Sequence, residues 1–172
     1  VAAFKELLPK VDQPMVLDAD ALNILAMHPA LIQSIPKNSI ITPHFKEFER
    51  LVGAWSDDLE RIEKQIEFAK KHHVIVVFKG PNTTIVNSVG EVYFNTTGNP
   101  GMATGGSGDV LTGIITALLA QHYDPLTSAQ LGVFLHGLAG DLAVEDIGKH
   151  SLMASDIIEY LPNAFLHLSK NN

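Results

Sequence analysis

Three short apolar runs, each emptying into polar residues, restrict this chain to few folds. PMVLDAD (residues 14–20), NSIITPH (38–44) and VIVVFKG (74–80) are continuous enough to be buried on both faces, as strands of a parallel sheet are. Helix-like segments separate them. ALNILAMH follows the first run, and FKEFERLVG, amphipathic and stopped by Gly53, follows the second. DDLERIEKQIEFAKKHH precedes the third run; Ser56 is its expected N-cap, and Leu59, Ile62, Ile66 and Ala69 share its expected buried face. NTTIVNSVGEVYFNT then reads as a hairpin turning through Ser88, Val89 and Gly90. Two apolar helices follow, GDVLTGIITALLAQ and LTSAQLGVFLHGLAGDLAVED, and MASDIIEYLPNAFLHL closes the chain as one or two more. Strands alternating with helices predict an α/β fold with a mainly parallel sheet and ligands at the carboxyl ends of its strands.

Length and charge narrow the partners. The 172 residues are 46% hydrophobic and 18% charged, enough for one domain with a substantial core. A net charge of −7 argues against nucleic acid and anionic membrane, whose recognition needs a basic face, and favours a small-molecule partner. The chain has no cysteine, so thiolate chemistry is excluded, and a reducing compartment, the cytoplasm, is expected. No apolar run approaches the ~20 residues of a membrane span. VAAFKELLPKVDQPMVLDADAL runs from a helix-like stretch straight into a strand, so residues 1–172 are read as one domain that lacks its N-terminal part.

The polar residues cluster at the expected strand ends. Asp18 and Asp20 follow the first strand, His44 and Glu47 the second, and Lys79 the third. NTTGNPGMATGGSGDV, after the hairpin, places five of the thirteen glycines ahead of an apolar helix. A helix start offers unpaired N–H groups and the positive end of the dipole to an anion. From Gly80 through Gly148 there is no Lys or Arg, so any phosphate held at this turn relies on main-chain donors and the helix dipole, with or without a bound cation. That rules out a Walker A site, which needs Lys after its glycines. Leu111 stands where a dinucleotide fingerprint needs its third glycine, and Asp109 where a nucleophile elbow needs glycine. Asp109 would repel a docked phosphate unless it acts as a base, which is the arrangement phosphoryl transfer uses. A plain structural turn with Asp109 as a helix cap is the competing reading. Lys79 and Gly80 end a hydrophobic strand, where one cation and a tight turn suit a nucleotide; an exposed strand-end lysine is the alternative. His44 and Glu47 are three apart on one helix face, a weak metal pair or a simple turn before a helix.

Together VLDADALN, TPHFKEFERL, FKGPNTTIV, NTTGNPGMATGGSGDVLTGIITALLAQ and GVFLHGLAGDLA, in this order from about Val16 to about Pro162, closely resemble the ADP/ATP-dependent NAD(P)H-hydrate dehydratase family. The G-x-G-D element alone points only to the wider ribokinase-like superfamily. The resemblance implies a ribokinase-like three-layer αβα fold and a metabolite-repair reaction. The hydroxyl of (6S)-NAD(P)H hydrate would be phosphorylated by ADP or ATP, and elimination of phosphate would restore NAD(P)H. It further implies Asp109 as the base, His44 as a substrate contact, and Asp20 and Asn23 as residues near the substrate. Lys79, Gly80, Asn82 and Thr83 would border the nucleotide, and Gly105, Gly106, Ser107 and Gly108 would form the anion hole. Glu47 matches the acid that organises Mg²⁺, through water. A homo-oligomer and a functional pairing with an NAD(P)H-hydrate epimerase are implied as well.

The chain departs from the family's P-H-P-G-E, with Phe45 and Lys46 in the middle positions, so the start of that helix is expected to differ. A small-molecule kinase of the same superfamily, of the hydroxyethylthiazole kinase kind, and a catalytically silent nucleotide-binding module are the rival readings. Elsewhere His72 and His73 are expected to complement a helix C-terminus, His136 to be a satisfied core or interface residue, and Trp55 to pack a loop.

Overall fold

In a computed structural model the described residues are 1–170, and the chain divides into two compact units, Val1–Phe94 and one that begins at Asn95. In the first, helix α1 (Ala2–Leu7) leads to β1 (Val16–Leu17), α2 (Asp20–Met27), β2 (Ile40–Ile41), α3 (Phe45–Val52), α4 (Asp58–His72), β3 (Ile75–Phe78), β4 (Thr84–Val86) and β5 (Val92–Phe94). The sheet order is β1-β2-β3-β4-β5. β1, β2 and β3 are parallel, as alternation with helices predicts; β3, β4 and β5 are antiparallel, so the sheet as a whole is mixed. The expected hairpin is present, with Gly90 at φ 93° after its turn and Asn87 Oδ1 accepting from the N–H groups of Val89 and Glu91.

All four residues of β3 are buried, which is why its sequence is apolar without alternation. Val76 and Phe78 pack with Leu17, Ile41, Phe48 and Phe68 in one core cluster. Ile40, Ile75, Val77 and Ile85 are equally shielded. Trp55 packs as a loop residue, with ring centroids 4.7 Å from Phe45, 5.8 Å from Phe48 and 6.1 Å from Phe78.

Helix α4 corrects three expectations. Its N-cap is Asp57, whose Oδ1 accepts from Glu60 N–H at 2.9 Å, not Ser56. The N–H and hydroxyl of Ser56 instead donate to Glu60 Oε2. The aliphatic face is only partly inward: Ala69 is fully buried and Ile66 packs against the core, but Leu59 is 67% exposed, whereas Arg61 and Gln65 are 7% and 0% exposed. Arg61 Nη1 donates to Gln65 Oε1 and to Thr84 Oγ1, both at 3.1 Å, with the guanidinium 4.4 Å from the Phe78 ring centre. Gln65 Nε2 reaches the carbonyls of Val76 and Thr84. Most buried polar groups in native cores are hydrogen-bonded, and a pattern scored for apolar residues does not register such a network.

His72 is the third correction. Its ring packs 4.6 Å from that of Phe68, and its Nδ1 is buried without a partner. Burial first, then the charges on Lys71 and His73, push its pKa below the ordinary 6.5. It therefore opposes protonation instead of serving as a charged complement to the helix end. The unfolded chain binds this proton more readily than the folded one, so stability rises with pH across the interval between the lowered value and 6.5. A His72→Phe substitution removes that proton linkage. The drop in Tm on acidification from about pH 7.5 to about pH 5.5 is expected to be smaller in His72→Phe than in the parent. Equal drops in paired thermal melts would count against it.

The second unit holds α5 (Ser107–Ala120), α6 (Pro125–Ile147) and α7 (Ala154–Lys170), the last a single helix with Pro162 inside it. Leu135, Ala139 and Ala143 of α6 form its core with Leu152, Ile157 and Ala164. Close packing of α6 on α5 depends on Gly132, where a Cβ would lie 2.6 Å from Ile115 Cγ1. Among the described residues no helix is long and apolar enough to cross a membrane.

Candidate active site

The first unit gathers polar groups at the ends of β1, β2 and β3. Lys79 N–H donates to the Pro43 carbonyl at 2.9 Å, which carries the parallel pairing one step past the strands and sets Lys79 beside His44. Lys79 Nζ lies 2.7 Å from Asp18 Oδ1, with side chains 20% and 8% exposed. The chain leaves β1 through Ala19 at φ 49°, a left-handed conformation that non-glycine residues rarely adopt. That turn separates Asp18, on the lysine, from Asp20, exposed at the start of α2.

His44 and Glu47 form a reciprocal cap at the start of α3. Glu47 N–H donates to His44 Nδ1 at 3.2 Å, and His44 N–H donates to Glu47 Oε2 at 2.8 Å. This satisfies two donors that a helix start leaves without partners. Phe45 and Lys46 are the first two residues of the helix, directly after the His44 cap. Glu47 is buried and His44 exposed. His44, Lys79 and Gly80 share a cavity of about 560 Å³ with Phe45 and Trp55. Asn82 and Thr83 lie outside its lining; Thr83 Oγ1 donates to the Gly80 carbonyl and tightens that turn. Asn23 is drawn to α3, its Oδ1 accepting from Arg50 Nη1 at 2.7 Å.

The second unit carries the glycine turn. Gly106 is the N-cap of α5 at φ 88°, where a side chain would be strained, and an added Cβ would meet that of Ala154 at 3.2 Å. Ser107, Gly108 and Asp109 form the first helical turn, with Asp109 exposed and Ser107 buried. Intrahelical carbonyls cannot reach the N–H groups of Gly108 and Asp109 at the second and third helical positions. They are main-chain donors suited to an anion, as the lysine-free stretch requires.

Two residues that hold this turn were not recognised from the sequence. His136 Nε2 lies 2.9 Å from the Ser107 carbonyl oxygen and 3.3 Å from Ser107 Oγ, so the histidine read as merely satisfied grips the start of α5. Asp141 accepts from Gly98 N–H at 2.7 Å and from Asn99 Nδ2 at 2.9 Å. The signal available was one of spacing. His136 and Asp141 interrupt the apolar stretch Leu131–Val144 of α6 beside Gly137 and Gly140, small residues that mark close approach by neighbouring chain. Among the described residues no group of three His, Asp or Glu side chains is placed to hold a metal ion.

The fold is that of a ribokinase-like protein. A solved ribokinase-like superfamily protein from Enterococcus faecalis matches with a TM-score of 0.73 at 29% identity, over 95% of this chain and 58% of that one. Within that class, residues 1–163 match the family model described as NAD(P)H-hydrate dehydratase, and the chain belongs to that family. It is 43% identical over 168 residues to the bifunctional NAD(P)H-hydrate repair enzyme of Moorella thermoacetica, covering 96% of this chain and 32% of that protein. The structure of the ADP/ATP-dependent NAD(P)H-hydrate dehydratase from Bacillus subtilis, co-crystallised with ATP and Mg²⁺ and soaked with CoA, matches with a TM-score of 0.78. Identity there is 32%, over 91% of this chain and 57% of that one. The chain thus spans about a third of the length of the bifunctional relative.

Proposed function

We propose that the protein to which these residues belong dehydrates (6S)-NAD(P)H hydrate at the expense of ADP or ATP. The observation that carries this reading is the exposed Asp109 carboxylate in the first turn of α5, next to main-chain donors and with no cation supplied by that segment. Asp109 takes the proton of the hydrate hydroxyl as its oxygen attacks the terminal phosphorus of the nucleotide. With ADP as donor, AMP leaves. The glycine turn, Gly105 to Gly108, stabilises charge on the transferred group through its N–H groups and the helix dipole. Phosphate is a far better leaving group than hydroxide. The ring nitrogen's lone pair expels it, and loss of a proton from the adjacent carbon restores the double bond.

His44 contacts the substrate, with Asp20 and Asn23 nearby. Lys79 and Gly80 border the nucleotide phosphates, with Asn82 and Thr83 beside them. Asp18 holds Lys79 extended at the end of its strand. Mg²⁺ fits as an ion that arrives on the nucleotide, since it favours phosphate oxygens and water over protein cages. Glu47, with Oε2 committed to His44 N–H, would reach it through water, and the ion would neutralise phosphate charge. A cytoplasmic homo-oligomer paired with an epimerase that supplies the reactive hydrate completes this reading, the pairing supported by relatives named as bifunctional repair enzymes.

The test adds ADP or ATP with Mg²⁺ to the full-length protein and hydrated NADH. It follows the near-ultraviolet absorbance that only the reduced nicotinamide has. A nucleotide-dependent rise, with phosphate released, is expected. A phosphorylated alcohol accumulating without that rise would identify a kinase instead.

A further inference from the structure

We propose that His136 is a positioning residue for the anion-binding turn, acting through the Ser107–Gly108 peptide plane; the proposal rests on the activity proposed above. The Ser107 carbonyl and the Gly108 N–H belong to one planar peptide unit and point in opposite directions. Whatever fixes the carbonyl also aims the N–H. His136 Nε2 sits 2.9 Å from that carbonyl oxygen, which can only accept, so Nε2 carries the hydrogen. Ser107 Oγ, 3.3 Å from the same nitrogen, is the second contact.

The turn needs such a clamp. Gly106, the N-cap just before Ser107, has no side chain to restrict its dihedrals, while the turn must present donors before an anion arrives. The imidazole rides on a rigid element. Its neighbour Leu135 is fully buried, and Gly132, one turn earlier, packs against Ile115 of α5. The next turn of α6 holds the chain leading into the glycine turn, through Asp141 on Gly98 and Asn99. Helix α6 therefore holds the chain both at the donors and ahead of them. A histidine placed only for packing would not need its distal nitrogen on a main-chain carbonyl in that turn.

The test compares His136→Leu and His136→Gln in the full-length protein, well below the Tm of each. Glutamine keeps an N–H donor that can reach Ser107, whereas leucine keeps only bulk. In His136→Leu, kcat is expected to fall roughly tenfold to hundredfold and ADP affinity to weaken, with KM for the hydrate within about twofold of the parent. His136→Gln is expected to recover most of both losses. A folded His136→Leu protein with parental kcat and ADP affinity overturns the proposal, and so does a glutamine variant as impaired as the leucine one. If the parent binds ADP but repairs no hydrate, the activity reading fails alone. ADP titration then decides, with weakening in leucine but not glutamine supporting the clamp and equal binding in all three overturning it. A parent that binds no ADP overturns both.

Discussion

Asp109→Asn is expected to lower turnover of the hydrate by about 10²–10⁴-fold, the range that removal of a general base produces, while leaving the protein folded and able to bind nucleotide. Asparagine keeps the size of the side chain and its place in the first turn of α5 but cannot take a proton. Loss of the negative charge also removes its repulsion of the nucleotide phosphates, so ADP should bind as tightly as in the parent, or more tightly. The two readouts must therefore separate. Stopped turnover with retained calorimetric ADP binding supports Asp109 as the base. Turnover within about threefold of the parent would place the base elsewhere.

The second large effect is one of packing. Gly137→Ala puts a Cβ 2.2 Å from Thr97 Oγ1 and 2.7 Å from the Thr97 carbonyl carbon. Thr97 cannot swing aside cheaply, because Oγ1 bonds the Phe134 carbonyl at 3.0 Å and Asn95 Oδ1 at 3.1 Å. Overpacking of this kind costs about 1–3 kcal/mol, against which alanine recovers up to ~1 kcal/mol of helix propensity. A net loss of stability is expected, lowering Tm by roughly 2–4 °C per kcal/mol. Gly113→Ala, on the exposed side of α5 with no neighbour within 4 Å of an added Cβ, is expected to have the opposite sign. There the propensity gain of about 0.5–1 kcal/mol stands alone. Thermal melts of the two variants check both, and a Gly137→Ala protein as stable as Gly113→Ala would show that α6 and the loop before α5 are not in close contact.

Much of this arrangement was legible from residue order. The apolar runs at Val16, Ile40 and Ile75 became adjacent parallel strands because a strand buried on both faces excludes polar residues. Gly53 ended α3, and the turn through Gly90 closed the hairpin, because those backbones need dihedrals that glycine adopts freely. The glycine turn opening α5, with Asp109 in its first turn, stands where the sequence placed it. These are local properties, written within a few residues of where they act.

The misses share a different origin. Leu59 was expected inside and lies outside, and Arg61 and Gln65 replace it in the core because Thr84, Phe78 and the Val76 carbonyl are there to receive them. Ser56 gave way to Asp57 as cap because Glu60 took hold of the serine. His72 was expected to complement the end of α4, but burial beside Phe68 and the neighbouring Lys71 and His73 lower its pKa. By itself, the sequence determined the order of strands and helices, the family, and the residue types available for chemistry, since period, turn residues and motifs are local. Only the tertiary structure decided that Asp18 meets Lys79 across 61 positions, and that His136 meets Ser107 across 29. The reason is physical. A polar side chain's worth is set by what faces it, and the partner is chosen when helices and strands pack, long after the spacing in the chain has been spent.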